Sequence, residues 1–190
     1  MDILLCNKFD DAIVSLIVKR WKDLSPQENK IGRTIIQKIS YFLKAKGVPL
    51  SYDFEIHHYG PYSQELYFRM DDLLIDKIII DKSKHPNRSE YEPGSQMEQL
   101  LVKFDTQLNP YKNEVDNIIS MFNSLPPTAM ELFATIHYLH NSYRNYFKKS
   151  PGKNMLIDKV KEVKMDKFPR IIIEKVYEIM VEYEMFSWHN

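Results

Sequence analysis

The stretch SYDFEIHHYGPYS, residues 51–63, restricts the fold of this chain more than any other. Its aromatic and partly alternating residues suit an extended strand from Tyr52 to Tyr59. Gly60-Pro61 then breaks the strand. Gly60 tolerates backbone angles closed to other residues, and Pro61 fixes the next one. Ser63 is placed to cap a helix starting near Gln64, and Glu65 suits that helix's first turn. Only 5 glycines occur in 190 residues, so long Gly-rich phosphate-binding loops are excluded.

Helical spacing brackets this turn. Phe9, Ile13, Leu16, Ile17 and Trp21 share one face of a helix that ends at Ser25-Pro26. Ile35, Ile36, Ile39, Phe42 and Leu43 mark a second helix from Arg33 to Lys46, closed by Gly47. Val48-Pro49 is then extended, because a residue before proline avoids helix. After the turn, Leu66, Met70, Leu73 and Leu74 line a third helix, and Ile78–Ile80 forms a short strand. The polar run 81–95 makes a hairpin wing of Ile78–Asp81 and Ser89–Glu92. Further helices are predicted over Met97–Phe104, Asn113–Phe122, Ala129–Lys148 and Met155–Val163, and from Pro169 to Met185. Thr128 is expected to cap the longest of these, in a capping box with Glu131. The expected fold class is mainly α with a small β component (α+β). A winged-helix-like core over residues 1–94 carries a helical extension over 95–190, as two units or one compact domain.

Composition excludes several classes. Lys/Arg and Asp/Glu balance at 26 each, which argues against a surface coated in nucleic-acid-binding charge. Residues 1–50 carry nine Lys/Arg against five acids, a mild bias of +4 that solvated helix faces also produce. Cys6 is the one cysteine, so no internal disulfide forms and a reducing compartment fits best. The start MDILLCNKFDD lacks the basic region of a signal peptide, and no apolar run nears the ~20 residues that span a bilayer. The expectation is a soluble, cytoplasmic protein with no membrane partner.

Two adjoining patterns carry a resemblance. The helix reads Ile35-Ile36-Gln37-Lys38-Ile39-Ser40-Tyr41-Phe42, and the extended part has Gly47, Pro49, Leu50, Phe54, Tyr59-Gly60-Pro61, Ser63 and Leu66. This resembles the Panacea-type family, the SocA-like antitoxin domain, with its YwgA-like relatives. Members have a helix of the type K-L-x-K-L-x-Y-F/L followed by G-x-P-L and Y-G-P-x-S. Ile35 departs from the pattern, standing where the family has its first Lys. The match covers about a quarter of the chain, residues 30–73. It implies a winged-helix-like fold with extra helices in a prokaryotic or phage setting. It implies non-enzymatic action, as an antitoxin or as an adaptor delivering a toxin to a protease.

On this reading the partner is a protein, toxin- or protease-like, and a homodimer stays open. The partner-facing residues are Arg33, Lys38, His58, Tyr59, Tyr62, Gln64 and Arg69, with Gly60, Pro61 and Ser63 as the structural turn. A second reading is a winged-helix DNA-binding regulator, in which Gln64 faces adenine and Arg69 faces guanine or phosphate. Glu65, Asp71, Asp72 and Asp76, on or beside the same helix, would repel phosphate. An enzyme is the third reading. No Walker, dinucleotide, zinc-protease or nucleophile-elbow pattern occurs, so no catalytic residue, metal ligand or cofactor is assigned. His57 and His58 face opposite sides of a strand, and His137 with His140 supplies only two ligands. Glu174, Glu178 and Glu182 read as a solvated helix face, and Tyr138, Tyr143, Tyr146 and Phe147 as core or dimer-interface aromatics.

Overall fold

In the computed structural model, which describes residues 3–188, two amphipathic helices open the fold. Helix α1 (Phe9–Leu24) starts where Asp11 accepts the Lys8 backbone N–H at 2.9 Å. It buries Ile13, Ile17 and Trp21. Helix α2 (Arg33–Ala45) buries Ile36, Ile39, Phe42 and Leu43, and stops before Gly47, whose φ of +90° only glycine adopts cheaply.

The strand expected over Tyr52–Tyr59 is shorter, and Gly60-Pro61 does not end it. Strands β1 (Glu55–His57) and β2 (Gly60–Tyr62) form an antiparallel hairpin with His57 opposite Gly60. His58 and Tyr59 make the turn, and Gly60 follows at φ +89°, the left-handed geometry that closes tight hairpins. Ser63 caps helix α3 (Gln64–Ile75), its Oγ accepting the Leu66 N–H at 3.4 Å. The wing forms as β3 (Ile79–Asp81) paired with β4 (Tyr91–Pro93), Ile80 opposite Glu92. A hairpin thus separates α2 from α3, where a plain winged helix has only a turn.

The second half is helical: α4 (Met97–Lys103), α5 (Asp105–Leu108), α6 (Lys112–Phe122), α7 (Pro127–Phe147), α8 (Lys153–Val163) and α9 (Arg170–Glu182). Short 3-10 turns cover Asn109–Tyr111 and Met185–Ser187. Helix α5 and both turns were not legible in the periodicity. The capping box at Thr128 is a correction. Helix α7 starts at Pro127, whose fixed φ suits the first position, and Glu131 is buried instead of reaching back. Overall the fold is mainly α with two small antiparallel hairpins.

Helix α1 packs on α6, and α2 packs on both α6 and α7, so one apolar cluster runs through both halves. Its centre is aromatic. Phe42 stacks on Phe122 at 4.7 Å, and Phe122 meets Phe133 edge-on at 5.6 Å. Trp188 closes the cluster against Phe42 at 6.1 Å. Among the described residues, no helix is long and apolar enough to cross a membrane.

This shared core predicts cooperative unfolding. In a Trp188→Phe chain, fluorescence of buried Trp21 reports the first half, and far-UV circular dichroism reports helices in both. The two urea transitions are expected to coincide. Phe42→Ala is expected to lower both together, by about 3–5 kcal/mol. Separated transitions would show halves that unfold independently.

Candidate functional site

The hairpin and α3 are held from below by buried polar side chains. Gln37, 2% exposed, uses its amide as a strand would: its Oε1 accepts the Ser63 N–H at 2.8 Å and its Nε2 donates to the Ser63 carbonyl at 2.9 Å. Next to it, Lys38 Nζ donates to the Pro61 carbonyl at 2.6 Å. Lys164, at the end of α8, donates to the His58 carbonyl at 2.7 Å. Glu131 from α7 balances these charges, with Lys164 at 2.9 Å and Lys167 at 2.8 Å. The Lys164–Glu131 pair is close in distance, but Glu131 Oε1 is not aligned for a hydrogen bond. Gly60 has to be glycine here. A Cβ would lie 3.0 Å from Thr135 Oγ1 and 3.3 Å from the Glu131 carbonyl.

Cations outnumber the one carboxylate in this cluster, and the titration of the lysines reflects it. Burial, with repulsion from Lys164, pushes Lys38 down to about 7, and Glu131 offsets this only in part. Burial also lowers Lys164, against the attraction of Glu131. Lys38 is 1% exposed, so it anchors the hairpin and does not face a partner.

Arg69 is likewise committed inward. Its Nε and Nη2 bond the carboxylate of Asp11 at 2.9 and 2.7 Å, and its Nη1 bonds Asp72 at 2.7 Å. The Asp11 side chain is fully buried, so this charged pair joins α3 to the start of α1. Asp76 at the end of α3 accepts N–H bonds from Leu4, Leu5 and Cys6. Burial raises its carboxyl, but those three donors outweigh burial and hold it below the usual range.

What faces outward is a run of rings. His57 lies 4.8 Å from Tyr62, Tyr62 lies 6.2 Å from Tyr67, and Tyr67 lies 5.7 Å from Phe68. Arg33 stacks over Tyr67 at 4.3 Å while its Nε donates to Tyr91 Oη at 3.1 Å. Phe68 is 59% exposed and Tyr59 60%. Tyr59 packs on His58 at 4.8 Å and lies under Lys167 at 5.4 Å. Gln64 is exposed at the start of α3. The structure thus brings Arg33 and Tyr62 together around Tyr67, leaves Gln64 exposed at the start of α3 and His58 and Tyr59 at the hairpin tip, buries Lys38 and ties part-buried Arg69 to Asp11.

Sequence reasoning gave Glu131 a capping role instead and missed Lys164, Lys167, Tyr67 and Phe68. A signal existed for two lysines. Lys38 falls on the apolar stripe of Ile35, Ile39 and Phe42, and Lys164 continues the stripe of Ile157 and Val160. Elsewhere, His137 accepts from Tyr41 Oη at 2.8 Å and meets the Met185 carbonyl at 3.0 Å, a structural lock. Tyr138 packs beside Tyr41, while Tyr146 is 81% exposed beside Phe147. Glu174 and Glu178 pair with Arg170 and Lys153. No group of three or more His, Cys, Asp or Glu positioned for a metal occurs among the described residues.

The chain is 29% identical over 126 residues to the uncharacterized protein YwgA of Bacillus subtilis (strain 168). That alignment covers 63% of this chain and 72% of YwgA. No family model matches the chain.

Two predictions follow from the buried charges. Lys38 holds its proton less tightly in the fold than in the unfolded chain, so unfolding takes up protons above pH 7 and stability rises with pH. The unfolding free energy is expected to rise by about 2 kcal/mol from pH 7 to 9, and Lys38→Met should remove most of that rise. The raised Cys6 thiol acts oppositely above pH 9, so the window ends there. An unchanged slope in Lys38→Met would contradict the assignment. Separately, Arg69→Met strands the buried Asp11 carboxylate and should cost about 3–5 kcal/mol in urea unfolding; wild-type stability would place Arg69 at the surface after all.

Proposed function

We propose that this chain is a non-enzymatic protein-interaction module of a prokaryotic or phage system, Panacea-type and antitoxin- or adaptor-like. The observation that carries this reading is the ring series of exposed His57 and Phe68 and half-buried Tyr62 and Tyr67, with Arg33 stacked on Tyr67. Tyr, Phe and Arg are enriched where protein partners dock and carry most of the binding energy there. His57 and Tyr62 stand on a hairpin held by the Lys38 and Lys164 hydrogen bonds, and Tyr67 and Phe68 on the capped helix α3, so little ordering cost remains at the moment of binding. The partner class, a toxin- or protease-like protein, comes from the sequence resemblance.

Helix α3 gives a DNA-reading role little support. Its one arginine is bound to Asp11 and Asp72, and Glu65 and Asp71 lie on the same helix. Gln64 remains as an exposed reader, but affinity for nucleic acid rests mostly on positive charge.

Affinity purification of the tagged chain after crosslinking in its host, quantified by mass spectrometry, tests the proposal. The adjacent gene product is the first candidate partner. Phe68→Ser and Tyr62→Ala are each expected to cut recovery of the enriched partner by about tenfold or more. Their thermal melts should match wild type, because both side chains are partly or largely exposed. Variants that keep every partner at wild-type abundance would overturn the proposal.

A further inference from the structure

The β3–β4 hairpin ends in a loop, residues 82–90, that carries Lys82, Lys84 and Arg88 and no acid before Glu90. All three cations are exposed. The acids at the base of the loop are already engaged. Glu90 pairs with Lys30 at 3.4 Å and Glu92 with Lys22 at 3.6 Å. Asp81 Oδ1 accepts the backbone N–H groups of Ser83 at 2.8 Å and Glu90 at 3.0 Å. Among the described residues, no carboxylate pairs with Lys82, Lys84 or Arg88. This contrasts with Arg20, Arg69 and Arg170, each of which holds two carboxylates. In a chain of zero formal net charge, three unpaired cations in seven residues are a local concentration of charge.

The loop holds its shape. Ser83 Oγ donates to the His85 carbonyl at 2.9 Å and accepts the His85 N–H at 3.2 Å. The Arg88 N–H donates to the same carbonyl at 3.2 Å, and Lys82 N–H donates to the Glu90 carbonyl at 2.7 Å. The cations are therefore displayed on an organised turn. Between the loop and the start of α2 lies an open cleft of about 690 Å³, lined by Lys30, Arg33, Arg88, Ser89 and Asp81. The Asp81 carboxylate is the one negative group in that lining, and its Oδ1 already takes two N–H bonds.

We propose that this wing loop contacts the phosphodiester backbone of a double-stranded nucleic acid. The three loop cations are separate from the ring series, with Arg33 bordering both, and the contact goes beyond the protein-docking role. It also moves the phosphate contact from α3, where acids accumulate, to the wing, where cations are unpaired. A duplex presents closely spaced phosphates along a ridge, and Lys and Arg on a protruding hairpin match that ridge without reading sequence. A lipid surface fits less well, because Lys84-His85-Pro86-Asn87 at the tip offers no large apolar side chain to insert. The contact is expected to be weak, independent of sequence and steeply dependent on salt.

Fluorescence anisotropy with labelled DNA and RNA duplexes of random sequence tests this, using the full chain. Binding is expected at about 20 mM salt, with log K falling against log salt at a slope near −3, as three phosphate contacts require. The triple variant Lys82→Glu, Lys84→Glu, Arg88→Glu should lose about tenfold or more in affinity with an unchanged thermal melt. Phe68→Ser should bind duplex as wild type does, which separates this site from the protein-docking surface. Absence of duplex binding at low salt, or a triple variant within twofold of wild type, would overturn the proposal. Binding to phosphatidylserine vesicles with none to either duplex would overturn it equally.

Discussion

Two lysine amines meet beneath the β1–β2 hairpin, and the geometry above them depends on that meeting. Lys38 reaches the Pro61 carbonyl from α2, and Lys164 reaches the His58 carbonyl from the end of α8. Each satisfies a carbonyl that would otherwise be left short of a donor, and a charged donor contributes about 1.5–3 kcal/mol where a neutral one contributes less. Against this stands the cost of burying positive charge, several kcal/mol per ion when unpaired. Glu131 offsets part of that cost, and Lys38 relieves more by titrating near neutrality. A neutral lysine amine still donates N–H, so the bond to Pro61 survives loss of the proton.

The clamp ties the two halves of the chain together. Lys164 belongs to the helical second half, yet the carbonyl it holds, that of His58, lies on a hairpin 106 residues earlier in sequence. The Phe42–Phe122 stack and the Tyr41–His137 hydrogen bond make the same connection through the core. Fixed from below, the hairpin and α3 hold His57, Tyr62, Tyr67 and Phe68 in one outward series. Under the proposed docking role, interaction and anchoring are divided by depth: rings toward the surface, lysines and a carboxylate inside.

The sequence displayed the frame more clearly than the site. Apolar periodicity located α1, α2, α3 and the later long helices to within a few residues, since each buries one continuous stripe. The Ser63 cap and the wing pairing were legible from local chemistry. Lys38 and Arg69 were misplaced because charge alone suggests exposure, while the groups that hold them, the Pro61 carbonyl and the Asp11 carboxylate, come from other segments. Tyr67 and Phe68 lie off the Leu66, Met70 and Leu73 stripe and carry no sequence signal of their own, and only the hairpin's position beside α3 turns them into a series with Tyr62. The Gly60-Pro61 pair was misread as a break because a hairpin needs the same glycine just after its turn.

Hydrogen exchange of the β1–β2 amides in a Lys164→Met chain tests the clamp most directly. Lys164 lies outside the hairpin, so any effect must pass through the His58 carbonyl and Glu131. The account predicts that protection of the Tyr62 and Ser63 amides falls by about tenfold or more, while α1 and α6 keep theirs. Unchanged protection in the hairpin would mean that it holds its shape without the second half, and would contradict the account.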